Sequence, residues 1–141
     1  MLAVYSRAKQ LADKEAIMGI TGIGGIFVKA KDVKALRDWY RDVLGIEMQD
    51  WGGAMLAYDA PGHPSVAVLG FFARDSKYFE PSAREFMINF AVDDMDAMLK
   101  RLEAKGVAIL GREDGDPNGR FAWLVDPEGT KIELWQEKKD K

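Results

Sequence analysis

The chain has 141 residues, 48% of them apolar and 30% charged, with a formal net charge of −3. That length suits one domain with its own core. The mild acidity and the lack of a Lys/Arg cluster exclude the usual footprint of nucleic-acid binding. The absence of cysteine excludes disulfides, thiolate metal sites and Cys nucleophiles.

Residues 1–18 read as an N-terminal extension, either a weak amphipathic helix (Leu2, Tyr5, Leu11, Ile17) or a poorly ordered segment ahead of Met18. Lys9, Asp13, Lys14 and Glu15 interrupt the one candidate signal peptide. The longest apolar run, Gly19 to Val28, is too short and glycine-rich to span a bilayer. The expectation is a cytoplasmic protein with no membrane or nucleic-acid partner.

A single domain is expected over 19–137. Its first module, 21–72, opens with a strand over 24–30. Asp32 then caps a helix over 33–44, which stops at Gly45. Strands are expected over 46–51, 54–58 and 65–72, with turns at Gly52-Gly53 and Asp59-Ala60-Pro61-Gly62. A polar connection, 73–84, follows. Its Tyr78-Phe79 pair reads as a lid over the edge of the core, the alternative being a substrate contact. The second module, 85–137, has a strand over 85–92 and a helix over 95–105 capped by Asp93 or Asp94. Strands over 107–112, 120–125 and 130–136 follow, with turns at 114–119 and at Asp126-Pro127-Glu128-Gly129. The lysines of 138–141 read as a solvated tail.

The chain thus repeats itself. I-F-V-K-A-K-D (26–32) and I-N-F-A-V-D-D (88–94) are short apolar strands ending in Asp, 62 positions apart. That offset pairs Val33 with Met95, Leu36 with Met98 and Tyr40 with Leu102. Two similar half-modules around a shared sheet place a ligand in the groove between them.

F-V-K-A-K-D-V-K-A-L-R-D-W-Y-R-D-V-L-G-I (27–46), I-N-F-A-V-D-D-M-D-A-M-L-K-R-L-E-A-K-G-V (88–107) and F-A-W-L-V-D-P-E-G-T-K-I-E-L-W (121–135) resemble the vicinal-oxygen-chelate superfamily. That group holds glyoxalase I, the bleomycin-resistance proteins, fosfomycin-resistance enzymes and extradiol dioxygenases. The resemblance covers about residues 21 to 137. It implies an α+β, glyoxalase-like fold: two βαβββ modules forming a curled, cup-shaped mixed sheet with the helices outside, often completed as a homodimer.

The resemblance also implies four inward metal-ligand positions. Seven residues before each Asp stand Gly25 and Met87. The last strand of module one offers Leu69 or Phe71, and only the last strand of module two keeps an acid, Glu133. One carboxylate does not hold a divalent ion tightly, so no metal or other cofactor is expected. The single histidine, His63, reads as a solvated turn residue.

Strand parity supplies the cup lining. If Glu133 points inward, so do Lys131 and Trp135, with Glu85, Met87 and Asn89 from the matching strand. Phe27 and Lys29 join them from the first strand, and Ala67, Leu69 and Phe71 from the fourth. Pairing across the Asp126–Gly129 turn places Ala122 opposite Glu133 and Arg120 near Trp135. Phe27, Leu69, Phe71, Met87, Asn89, Arg120, Glu133 and Trp135 are the expected ligand contacts. Trp135 and Phe71 read first as core and only second as a ligand shelf, and Asn89 reads also as a partner for a buried backbone group, so each pick has a structural alternative. Glu133 either pairs with Arg120 or Lys131 to hold the sheet, or is a general base, the one candidate catalytic group.

Three functions follow. The first is a metal-free cup that binds a small, partly aromatic organic molecule. The second is a metal-dependent lyase or isomerase of the glyoxalase type, or a dioxygenase. The third is a structural dimer whose cup is filled by its own side chains.

Overall fold

The fold comes from a computed structural model that describes residues 19–138. The expected N-terminal helix within 1–18 and the last three residues of the tail lie outside the described residues.

The repeat is written most literally in the two helices. Helix α1 is Val33–Asp42 and helix α2 is Met95–Ala104. Asp32 accepts from the Ala35 N–H at 3.0 Å, and Asp94 accepts from the Ala97 N–H at 3.0 Å. The same cap therefore recurs, satisfying an N–H that the first helical turn leaves unpaired. Both helices close on a glycine in the left-handed region, Gly45 (φ 77°) and Gly106 (φ 74°), a conformation that a Cβ disfavours. Of the two caps offered for α2, Asp94 is the one used.

The fold is α+β, with a curled, open, mixed sheet of four strands. Strand β1 is Ile88–Ala91, β2 is Gly111–Asp116, β3 is Gly119–Val125 and β4 is Lys131–Glu137. Their order is β1-β4-β3-β2. β1 runs parallel to β4, with α2 in the connection between β1 and β2, and the remaining pairs are antiparallel. Ala122, Leu124, Ile132 and Leu134 point to the helix face and are buried with Met95, Leu99, Leu102 and Leu44. Trp39, Tyr40 and Val43 of the first module pack against the same cluster. The core therefore belongs to both modules.

The strand expected over 107–112 begins later and runs through Asp116. A register shift between Glu113 and Asp116 carries the ladder around to Gly119, and the Asn118 N–H is taken by the Asp116 carboxylate at 2.8 Å. Gly119 has no substitute there: a Cβ would lie 2.1 Å from the Gln136 carbonyl oxygen.

The first module differs more. Segments 24–30, 46–51, 54–58 and 65–72 are not laddered strands, although the turns expected between them are present. Gly52 (φ 96°) turns back under a bond from the Gln49 N–H to the Gly53 carbonyl (2.7 Å), and His63 N–H donates to the Ala60 carbonyl (3.0 Å). An alternating strand is stable only when a neighbour takes its backbone groups and a face takes its side chains. Here Phe27 is 95% exposed and Phe71 89% exposed, and no ladder forms on these segments, so neither condition is met among the described residues.

Candidate functional site

β4 is buried along both faces. Ile132 and Leu134 meet the helices, while Lys131, Glu133 and Trp135 stand on the open face and are also buried. β1 and β3 flank β4 and bring Asn89 and Trp123 level with Glu133. The carboxylate takes three bonds. Asn89 Nδ2 donates to Oε1 at 2.8 Å, Trp123 Nε1 to Oε2 at 2.7 Å, and the Tyr78 hydroxyl to Oε2 at 2.5 Å. Charge-assisted bonds of this kind are about twice as strong as neutral ones.

Around this carboxylate lies an aromatic surface. The Phe121 ring is near-parallel to those of Trp123 and Trp135, at centroid distances of 6.3 and 6.4 Å. Tyr78 meets Trp123 edge-on at 6.4 Å and lies against Phe72 at 5.4 Å with an interplanar angle of 19°. Lys131 Nζ donates to the Tyr78 carbonyl at 2.5 Å and sits over its ring. Burial, followed by the Glu133 carboxylate, pushes the Tyr78 hydroxyl well above the ordinary tyrosine range.

The structure brings Asn89, Glu133 and Trp135 together on the open face. Arg120 is not among them. The observed register sets Trp123, rather than Ala122, opposite Glu133, and Phe121, rather than Arg120, opposite Trp135. A slip of one residue moves every side chain to the other face. Arg120 accordingly lies on the helix face, where its guanidinium binds Asp96 (2.7 Å) and Asp114 (2.8 Å). Arg120 and then Arg112 hold the Asp96 carboxyl below its ordinary range. Glu133 does not take the Arg120 or Lys131 partnership offered for it. Phe27, Leu69 and Phe71 are exposed side chains of the unladdered first module, and Met87 is half-buried just ahead of β1.

The sequence alone does not include Trp123 among the site residues, and it offers Tyr78 as a lid or substrate contact without tying it to Glu133. The signal for Trp123 lies in the turn: Asp126 closes on Thr130 (2.9 Å), and its carboxylate takes the Glu128 and Thr130 N–H groups at 2.8 and 3.0 Å. Centring the hairpin on Glu128 gives the observed register. No local signal ties Tyr78 to a residue 55 positions away.

The donor set does not fit a divalent ion. Gly25, Met87, Leu69 and Phe71 supply no oxygen or nitrogen side chain, and the groups that do surround Glu133 include an indole N–H and an amide NH₂, which donate and do not ligate. Among the described residues, no three His, Cys, Asp or Glu side chains gather into a metal-binding group. A hollow of about 400 Å³ lies elsewhere, between the start of α1 and Pro127-Glu128. There the Glu128 carboxylate already occupies the Lys31 and Asp32 N–H groups, at 2.8 and 2.9 Å.

Among the described residues, no helix is long and apolar enough to cross a membrane. Comparison with known proteins bears on the fold and the family. No curated protein matches the chain. Among solved structures, it is similar to TnmS3, an antibiotic binding protein from Streptomyces sp. CB03234. The two are 26% identical, the match covers 86% of this chain and 100% of that one, and the TM-score is 0.55. It is also similar to a lactoylglutathione lyase from Agrobacterium tumefaciens (23% identity, 82% and 95% coverage, TM-score 0.51). A third similar structure is a glyoxalase/bleomycin resistance protein/dioxygenase superfamily member from Sphaerobacter thermophilus DSM 20745 (23%, 84% and 98%, 0.50). At these identities the last two show the fold alone. The glyoxalase-like domain family matches residues 25–135, and the chain belongs to that family, within the vicinal-oxygen-chelate superfamily.

Proposed function

We propose that this chain binds a small, partly aromatic organic molecule on the open sheet face over Glu133, without a divalent metal. The observation that carries the reading is the carboxylate itself. It is buried on a floor of Trp123, Trp135 and Phe121, with its lone pairs directed at N–H and O–H donors. Such a mix of flat apolar surface and a few fixed polar atoms is what a small-molecule site needs. The likeness to an antibiotic binding protein at 26% identity is a precedent for a binding role on this fold.

The reading includes a homodimer. The first module exposes Phe27, Trp51, Leu69 and Phe71, and a second copy would give its segments the strand neighbours and the apolar cover that they lack. The site would then be closed by module one of the same chain or of the partner.

Metal content tests the reading. Mass spectrometry on chain purified without chelator or histidine tag, before and after incubation with excess Ni, Zn, Mn or Fe, should find no stoichiometric ion. A near-stoichiometric ion that is lost in Glu133→Ala would overturn the metal-free site and favour a metal-dependent lyase, isomerase or dioxygenase.

A further inference from the structure

The group over Glu133 does not come from the sheet. Asn89 and Trp123 are fixed by the β1–β4 and β3–β4 ladders. Tyr78 arrives from the 73–84 connection, whose backbone bonds close on the connection itself: Ser76 to Ala73, Glu80 to Lys77 and Ser82 to Phe79. It is tied to the open face through side chains, by the Tyr78 hydroxyl on Glu133 and the Lys131 ammonium on the Tyr78 carbonyl. Tyr78 is 40% exposed, and its ring lies on Phe72, itself exposed and part of the unladdered first module. A phenol thus sits on the one buried carboxylate of this face among the described residues, held by a segment that can lift without breaking a strand pairing.

We infer that the Tyr78 side chain is a tethered stand-in for the ligand. The site accepts a planar hydroxylated aromatic molecule, whose hydroxyl donates to Glu133 and whose ring replaces that of Tyr78 between Phe72 and Trp123, and the 73–84 connection is the lid that such a ligand displaces. This rests on the binding role proposed above and adds the ligand class and the competitor. The chemistry is specific. An ionised carboxylate accepts and cannot donate, so a ligand that removes the Tyr78 bond must bring its own O–H or N–H or leave a buried acceptor short. An O-methylated analogue of the same shape brings none.

The test uses 2-naphthol and 2-methoxynaphthalene, titrated calorimetrically into the full chain and into Tyr78→Ala and Tyr78→Phe at about pH 7, where a naphthol is neutral. A lid that is closed about nine-tenths of the time weakens apparent affinity about tenfold. Tyr78→Ala should therefore bind 2-naphthol about tenfold more tightly than the unmodified chain. Tyr78→Phe, which keeps the ring and loses the hydroxyl, should gain by a smaller factor. In Tyr78→Ala the methyl ether should bind about tenfold or more weaker than the naphthol, the scale of one hydrogen bond to a charged acceptor. Equal or weaker naphthol binding in Tyr78→Ala overturns the lid and leaves the binding role standing. Equal binding of naphthol and ether overturns the reading of the hydroxyl by Glu133. No binding to any of the three proteins overturns this inference, the hydroxylated ligand class included, and leaves the proposed function to be judged by its own test. If Tyr78→Ala does not fold, Tyr78→Phe decides: tighter naphthol binding supports the lid, and unchanged binding overturns it.

Discussion

Trp123 stands directly across the β3–β4 ladder from Glu133 and gives its indole N–H to the carboxylate at 2.7 Å. Cross-strand neighbours on one face are within reach of each other by construction, so this bond follows from the register once the register is known. Trp123→Phe keeps the ring and removes the donor. The expected cost is about 1.5–3 kcal/mol of folding stability, the scale of a hydrogen bond to a charged group, read from the shift in urea midpoint at unchanged slope.

The helix-face cluster of Arg112, Arg120, Asp96 and Asp114 sets the behaviour in acid. Asp96 and Asp114 both titrate below the ordinary value of 3.8, the first chiefly through Arg120 and the second chiefly through Arg112. A depressed folded-state value means stability that is present above 3.8 and lost as pH falls through the lower value. Arg120→Ala removes part of that contribution, so its acid-unfolding midpoint should move to higher pH, followed by circular dichroism. These carboxylates are exposed, and added salt should shrink the difference.

The opposite sign governs alkali. Burial, and then the Asp126 carboxylate 2.7 Å from the hydroxyl, raises Tyr40; burial and Glu133 raise Tyr78. Values raised in the folded state give stability that is intact below the ordinary 10.0 and lost as pH rises past it. Tyrosinate absorbance should therefore show a late step coinciding with loss of the fold. Tyr40→Phe and Tyr78→Phe should each remove part of that late step.

The two caps offer a matched pair. Asp32→Ala and Asp94→Ala each delete one bond of 3.0 Å to a helix N–H. Each should lower stability by about 1 kcal/mol, measured by thermal or urea unfolding.

The proposed dimer predicts twice the chain mass in size exclusion with light scattering. Phe27→Glu and Phe71→Glu, at side chains 95% and 89% exposed in the isolated chain, should shift it toward monomer without loss of helix signal. A monomeric mass for the unmodified chain would count against the dimer.

The helices, their caps, the Asp126–Gly129 turn and the last strand are legible in the sequence because each depends on neighbours a few residues away. Asp32 and Asp94 each reach three residues ahead, and Ile132 and Leu134 alternate with Lys131 and Glu133. What the sequence hides is set at longer range. The choice of Trp123 over Ala122 as the partner of Glu133 turns on one residue of register, which alternation alone does not fix, since 121–125 is apolar throughout. The Tyr78 bond to Glu133 depends on how the connection folds back. The first-module strands have the right alternation, but alternation states a need for a partner and not where the partner comes from.

One bridge between the modules remains. Asp126, 5% exposed, takes two N–H groups of its own turn on one oxygen and the hydroxyl of Tyr40, in α1, on the other. Glu128 of the same turn takes the N–H groups of Lys31 and Asp32 just ahead of that helix. The last hairpin is thereby a clasp on the first helix. Hydrogen exchange should show α1 opening only when β3 and β4 open, while the unladdered stretch from 46 to 72 exchanges far sooner. Among the described residues the chain is knit where α1 meets the last hairpin and unladdered from 46 to 72, and the unladdered part is the one left free to take its shape from whatever docks against it.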